Sequence, residues 1–369
     1  MSTAARLALF GGACALVGGI VYGRVGLREH SAPRQVASAV AHLPTSTSAA
    51  PAPGTIRDPL VPQRPVYRDT APEQDVGDWV KARPRFQISR SAAERGGLEP
   101  CATQQVDTSA YTPWAALGAG RYVMPKDAPT DAAGRFDLIL HLHGEEPVLR
   151  ELVKSEQRFV LYTLTLPPDQ GYGPLFSGSH LYESVVAEVE QAVSRRAGLR
   201  ARVRRVVLSA WSAGFVGIES ALAQPTSKDV DAVVLVDGLH APRTDIEAFK
   251  AQLQPFVDYA SRAAASERFM FVSHSSIDPP DFASTTECAH YLVASLGGKP
   301  IAVRRNDSLG LELVEYFTRG NFHVRGYSGN DKADHCAQLG VLRDVYGALG
   351  RRWAAPRPAA GTSGTPIAP

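Results

Sequence analysis

Short runs of Val, Leu and Ile, separated by stretches of helical period, organise the middle of the chain. Phe136 to Leu142 (FDLILHL), Phe159 to Leu166 (FVLYTLTL), Arg205 to Ser209 (RVVLS), Ala232 to Val236 (AVVLV), Phe269 to Ser273 (FMFVS) and Phe322 to Gly326 (FHVRG) predict strands. Between and after them, His180 to Arg196, Phe215 to Ala223, Asp245 to Ala264 and His335 to Trp353 carry apolar residues at helical spacing. Continuously apolar strands that alternate with helices imply an α/β fold, a mostly parallel sheet with helices on both faces. In such sheets ligands bind beyond the carboxyl ends of the strands, so chemistry is to be sought where each run stops.

The ends of the chain follow a different pattern. Residues 7–23, LALFGGACALVGGIVYG, are uncharged and follow Arg6. As a helix they would reach about 26 Å, just short of the roughly 30 Å hydrocarbon core. Residues 1–30 therefore read as a membrane anchor or a signal segment, and the anchor is preferred because no clear small-x-small cleavage site directly follows the apolar run. The expected location is membrane-anchored, facing the periplasm or cell exterior. Arg24, Arg28 and Arg34 after the segment count against that orientation. From 31 to 95 the composition shifts to Ala, Ser, Pro and Thr, with eight prolines between Ser31 and Pro72, which predicts an extended linker. Residues 354–369 repeat that composition as a tail. Between linker and tail, 96–353 form one domain of about 260 residues.

Charge and cysteine content narrow the classes. With 39 Lys+Arg against 37 Asp+Glu the net charge is +2, which gives no reason to expect nucleic acid as a partner. The basic run at Arg195, Arg196, Arg200, Arg202, Arg204 and Arg205 lies before the third strand, and a solvated face is its ordinary reading. Four cysteines, none in a C-x-x-C pair, make neither a disulfide scaffold nor a zinc site, although Cys101, Cys288 and Cys336 allow one disulfide in an exported domain.

The strand ends carry the chemistry. After VVLS comes Ala210-Trp211-Ser212-Ala213-Gly214 and then a helical segment. A serine flanked by small residues between a strand and a helix fits a sharp turn that presents its hydroxyl at the sheet top, though a capping serine in a plain loop fits as well. FDLILHL runs into His143-Gly144-Glu145, and FMFVS into His274-Ser275-Ser276-Ile277-Asp278. Asp237 ends AVVLV, and His335 follows FHVRG by nine residues. Each of these also has a structural reading as a turn or helix-cap residue.

In this order and strand context, residues 96–353 resemble the α/β-hydrolase superfamily of serine esterases, lipases and peptidases. The resemblance implies a nucleophile at Ser212, a general base at His335 and a triad acid at Asp278, with Asp237 as the alternative. Ala210 and Ser275 stand where relatives carry glycine. The resemblance further implies an oxyanion hole from Ala213 and the Gly144–Glu145 loop, and no cofactor. His143 and Trp211 are placed to touch substrate, with Tyr172 and Phe176 as further aromatic candidates, against a plain packing role. The expected substrate is an ester or amide, bulky or polymeric as in a cell envelope, because the thirty or so residues between AVVLV and FMFVS leave little room for a lid domain. Two other classes compete. One is a metal hydrolase using His141 and His143, for which further ligands at recognisable spacing are missing. The other is a non-catalytic envelope-binding module on the same fold.

Overall fold

The computed structural model describes residues 106–354, apart from 128, 167–170, 174–180, 226–228 and 307–310. The anchor or signal expected at 1–30, the linker at 31–95, the tail beyond Ala354, and Phe176 lie outside the described residues. Among the described residues no helix is long and apolar enough to cross a membrane.

Alternation along the predicted runs explains the layers, because successive side chains of a strand leave opposite faces. In chain order the strands are β1 (Ala115–Leu117), β2 (Gly120–Val123), β3 (Arg135–Leu142), β4 (Val160–Leu164), β5 (Arg202–Trp211), β6 (Ala232–Val236), β7 (Ala241–Pro242), β8 (Phe269–His274), β9 (Phe282–Ala283), β10 (Ile301–Asn306), β11 (Glu312–Arg319) and β12 (Phe322–Tyr327). Ten of them form one sheet in the order β1-β2-β4-β3-β5-β6-β8-β12-β11-β10. The six strands from β4 to β12 in that order are parallel, and antiparallel partners flank them at both edges. On one face, Leu138, Leu140 and Leu142 of β3 pack with Val189 and Val193 of α2 (Leu181–Ala197), Ile218 of α3 (Phe215–Leu222), Phe249, Leu253 and Phe256 of α4 (Ile246–Ala264), and Leu292 of α5 (Thr285–Ser295). On the other, Ile139, Val207, Val234 and Phe271 meet Val148 and Leu152 of α1 (Glu145–Lys154) and Leu342, Val345 and Leu349 of α7 (Val341–Ala354). Each fully buried side chain of this size contributes roughly 1.5–3 kcal/mol, so the two-faced core fixes the sheet on which the strand ends are displayed.

The expected strands and helices fall within a few residues of their predicted spans. The last predicted helix, His335 to Trp353, is divided into α6 (Lys332–Ala337), a 3-10 turn (Gln338–Gly340) and α7. Asp245 caps α4 by accepting from Ala248 N at 3.0 Å. Half of the basic run is engaged within β5: Arg204 meets Asp137 at 2.6 Å, Arg202 meets Glu190 at 2.5 Å, and Arg205 lies over the Trp353 ring, while Arg195, Arg196 and Arg200 are exposed. Register aligns the parallel strand ends, since Leu142, Ala210, Leu235, Val272 and Val324 follow one another across the sheet. His143, Ser212, Asp237 and Ser275 therefore emerge along one edge.

Candidate active site

Ser212 lies directly after β5, opens a 3-10 turn (Ser212–Gly214) and leads into α3. Its φ is 52°, a left-handed conformation that costs a non-glycine residue on the order of 1–3 kcal/mol. Close packing enforces the turn. A Cβ on Gly214 would come within 2.3 Å of Leu142 O, and one on Gly238 within 2.3 Å of Ser212 O. Those approaches require glycine. Ala210, by contrast, is buried in the sheet and fits without one.

Asp237 also sits in the left-handed region, with φ 42°, and is fully buried. Its Oδ2 lies 2.7 Å from His335 Nδ1, while Oδ1 accepts from Ser275 N at 2.8 Å and Thr285 Oγ1 at 2.9 Å. Burial alone would raise its pKa, but the hydrogen bond and charge of His335, with Thr285 and Ser275, outweigh that and hold the carboxyl below its ordinary range. Asp278, the first expectation for the acid, is elsewhere: half-exposed and 2.6 Å from Arg243, which also reaches Glu287 of α5 at 3.2 Å. The contact to His335 is thus made by Asp237, the alternative, and that to Arg243 by Asp278. The segment after β8 serves Asp237 through the backbone N–H of Ser275 instead of supplying a carboxylate of its own.

His335 is presented by α6, whose N-cap Asp331 accepts from Asp334 N at 2.8 Å and through its carbonyl from His335 N at 3.0 Å. The loop before α6 is docked on the loop after β8 by Ser276 N to Gly329 O (2.7 Å) and Ser276 Oγ to Tyr327 O (2.9 Å). Trp211 covers the imidazole, with ring centroids 4.8 Å apart and planes 29° from parallel, and donates from Nε1 to His335 O at 3.2 Å. Trp211 thus meets both His335 and, at 5.3 Å between ring centroids, His143. Two short strands missed in the sequence, β7 and β9, pair Ala241 with Ala283 and brace the loops on either side of Asp237.

The turn after β3 places two left-handed residues in succession, His143 (φ 74°) and Gly144 (φ 99°). The Gly144 N–H is given to Thr165 Oγ1 at 3.2 Å, and Glu145 is the first residue of α1. Gly144 also lies against Trp211, where a Cβ would meet the indole at 3.2 Å. His143 stands 5.3 Å from Trp211 between ring centroids, and burial together with the His335 charge lowers its pKa. Tyr172, instead of lining an open pocket, is buried and bridges Leu166 N, Leu164 O and His143 Nδ1.

Neither a cysteine nucleophile nor a His141–His143 metal pair is supported by the contacts. Cys336, beside His335, is disulfide-bonded, and Cys288 is a buried free thiol that burial pushes well above its ordinary pKa. His141 has both ring nitrogens committed, to Ser209 Oγ and to His143 O, each at 2.8 Å. A carbonyl only accepts, so Nε2 carries the proton and Nδ1 accepts the Ser209 hydroxyl. Burial lowers this histidine to about 3 and keeps it neutral.

No family model and no curated protein matches the chain. Among solved structures it is similar to the enterobactin esterase of Shigella flexneri (14% identity, 68% of this chain and 63% of that one, TM-score 0.42). It is also similar to a ferulic acid esterase (14%, 65% and 97%, TM-score 0.40) and to the acylaminoacyl peptidase of Pyrococcus horikoshii (11%, 66% and 41%, TM-score 0.38). Within this chain a serine stands on a strained strand-to-helix turn at the top of a mostly parallel sheet, beside the loop that joins β3 to its helix. The mostly parallel sheet with helices on both faces is the α/β architecture that the strand and helix pattern predicts.

Proposed function

We propose that the protein is a membrane-tethered serine hydrolase that cleaves an ester or amide through Ser212, His335 and Asp237. The observation that carries this reading is the 2.7 Å contact between buried Asp237 and His335 Nδ1, made beside a serine held at positive φ. Asp237 keeps the proton on Nδ1, so His335 Nε2 is the base that takes the Ser212 proton as Oγ attacks the carbonyl carbon. The tetrahedral oxyanion is received by the backbone N–H groups of Ala213 and Glu145, aided by the amino ends of α3 and α1. His335 then protonates the leaving alcohol or amine. Water, activated by the same imidazole, hydrolyses the acyl-Ser212 ester and restores the free hydroxyl.

The substrate class follows from what surrounds the site. Between β6 and β8 the chain contributes β7 and the single helix α4, without an inserted lid domain. That favours a bulky ester or amide, such as an envelope polymer, over a small enclosed metabolite. The disulfide at Cys336 supports an exported domain, since such bonds persist in oxidising compartments.

A fluorophosphonate probe tests the nucleophile without knowledge of the substrate, because Oγ displaces fluoride from phosphorus only when activated. One equivalent of label on Ser212, lost in Ser212→Ala and in His335→Ala, is the expected result. A folded protein that stays unlabelled would instead make this a non-catalytic binding module on the hydrolase fold.

A further inference from the structure

A second cluster lies behind the triad acid. His274 ends β8, and in register across the sheet it faces Gly326 of β12, which faces Glu315 of β11. Glycine in the middle of that row is what lets the outer two side chains meet. A Cβ at 326 would come within 2.5 Å of His274 Nε2 and 2.6 Å of Glu315 Cγ. From the helix layer, His290 of α5 closes the group, its Nε2 2.5 Å from Glu315 Oε1, with the His274 and His290 rings edge to face at 5.8 Å. All three donor atoms lie within 4.8 Å of one another, and none of the three residues touches Ser212, His335 or Asp237 in the contacts above.

The hydrogen-bond arithmetic at His274 is decisive. Thr286 Oγ1 has one proton and gives it to Ser275 O at 2.7 Å. It can then only accept from His274 Nδ1, 2.9 Å away, so Nδ1 carries the proton. In the neutral ring Nε2 is therefore a bare lone pair. It is fully buried and stands 3.0 Å from Glu315 Oε1, close enough for an ion pair, yet without the alignment of a hydrogen bond. His290 Nε2 donates to Glu315 Oε1 at 2.5 Å, while the bare His274 nitrogen faces the same oxygen, and two acceptors so placed repel unless a cation lies between them. An imidazole whose far nitrogen is fixed by a hydroxyl, facing a second imidazole and a carboxylate, is the donor set of a divalent transition metal.

We propose that His274 Nε2, His290 Nε2 and a Glu315 carboxylate oxygen bind one divalent transition-metal ion, with zinc the best match to two imidazoles and a carboxylate. Zinc bonds of about 2.0–2.2 Å set neighbouring ligand atoms roughly 3–3.5 Å apart, which small side-chain shifts reach from the present distances. Bound there, the ion ties β8, β11 and α5 together, one residue from Ser275 and on the same helix as Thr285, the donors that hold Asp237. The role is a brace, independent of the acyl chemistry proposed for Ser212.

The full chain, purified without chelator and without a metal-affinity step, is expected to carry about one equivalent of zinc or a related ion by plasma mass spectrometry. His290→Gln, at the more accessible ligand, should lose it, whereas His323→Gln, on β12 outside the cluster, should retain it. Chelated protein titrated with zinc to a hundredfold excess over Kd should melt about 5–10 °C higher, and the His290→Gln variant should not respond. Cobalt in place of zinc should give the visible absorption of a tetrahedral nitrogen and oxygen site. Folded protein that holds no metal after zinc or cobalt addition and shows no melting shift would overturn the proposal, as would equal metal content in wild type and His290→Gln.

Discussion

Asp237 accepts three hydrogen bonds from three different segments, and that crowding makes the acid the most discriminating position in the candidate site. Asp237→Asn would place an amide where a buried carboxylate now fixes and balances the imidazole, so kcat is expected to fall on the order of 10^4-fold with the fold retained. Asp278→Asn weakens a half-exposed ion pair with Arg243, worth less than about 1 kcal/mol, and turnover should stay near wild type. Esterase assays on a chromogenic ester, run on both variants, decide it, and equal losses would sink the assignment. Ser212, His335 and both aspartates were readable from the strand ends. Which aspartate was not, because the choice depends on Ser275 N–H, Thr285 and Arg243, brought together only by folding. His274 misled for the same reason: its segment looked like the carrier of the acid, while its ring belongs to a cluster with His290 and Glu315 at spacings that form no motif.

At the level of elements, α3 carries a titration of its own. Burial raises Glu219 from the ordinary 4.5 to about 7, with the Gln252 hydrogen bond opposing the shift. The folded chain therefore holds this proton more tightly than the unfolded chain. The stabilisation is complete below about pH 4.5 and is lost as pH rises through about 7. Glu219→Gln keeps the shape and removes the titration, so the variant should gain on wild type in melting temperature between pH 5 and pH 7.5. Parallel curves for the two proteins would exclude the effect. The elements that could be read were those with long apolar runs, such as β3, β6 and α4. Those that could not include β7 and β9, two residues each, the short strands β1 and β2, the helices α1 and α5, and the outer hairpin of β10 and β11. The β10 strand is almost wholly exposed and carries Arg304 and Arg305, charges that suit a sheet edge but hide the strand from an apolar pattern.

For the whole molecule, the proposed tether and the proposed hydrolase make separable claims. The uncharged segment 7–23 is near the lower limit for a span and precedes a Pro-rich stretch that no apolar period organises. If it anchors the chain, full-length protein should sediment with membranes, resist extraction by high salt and by alkaline carbonate, and dissolve in detergent. Removing 1–30 should move the protein to the soluble fraction while Ser212 still takes one equivalent of fluorophosphonate, since the contacts described at the candidate triad, among the described residues, lie far along the chain from that segment. Amino-terminal sequencing of the mature protein distinguishes the cleaved signal: a start beyond residue 23 with soluble behaviour would refute the anchor and leave the hydrolase untouched. Release by salt alone would also refute it, and would point to the exposed arginines before β5 as a peripheral contact with anionic headgroups. Retention of label after truncation is the result that joins the two scales. It would mean that the paired strand ends suffice to strain Ser212 and seat His335, and that the tether determines where the reaction happens but not whether it does.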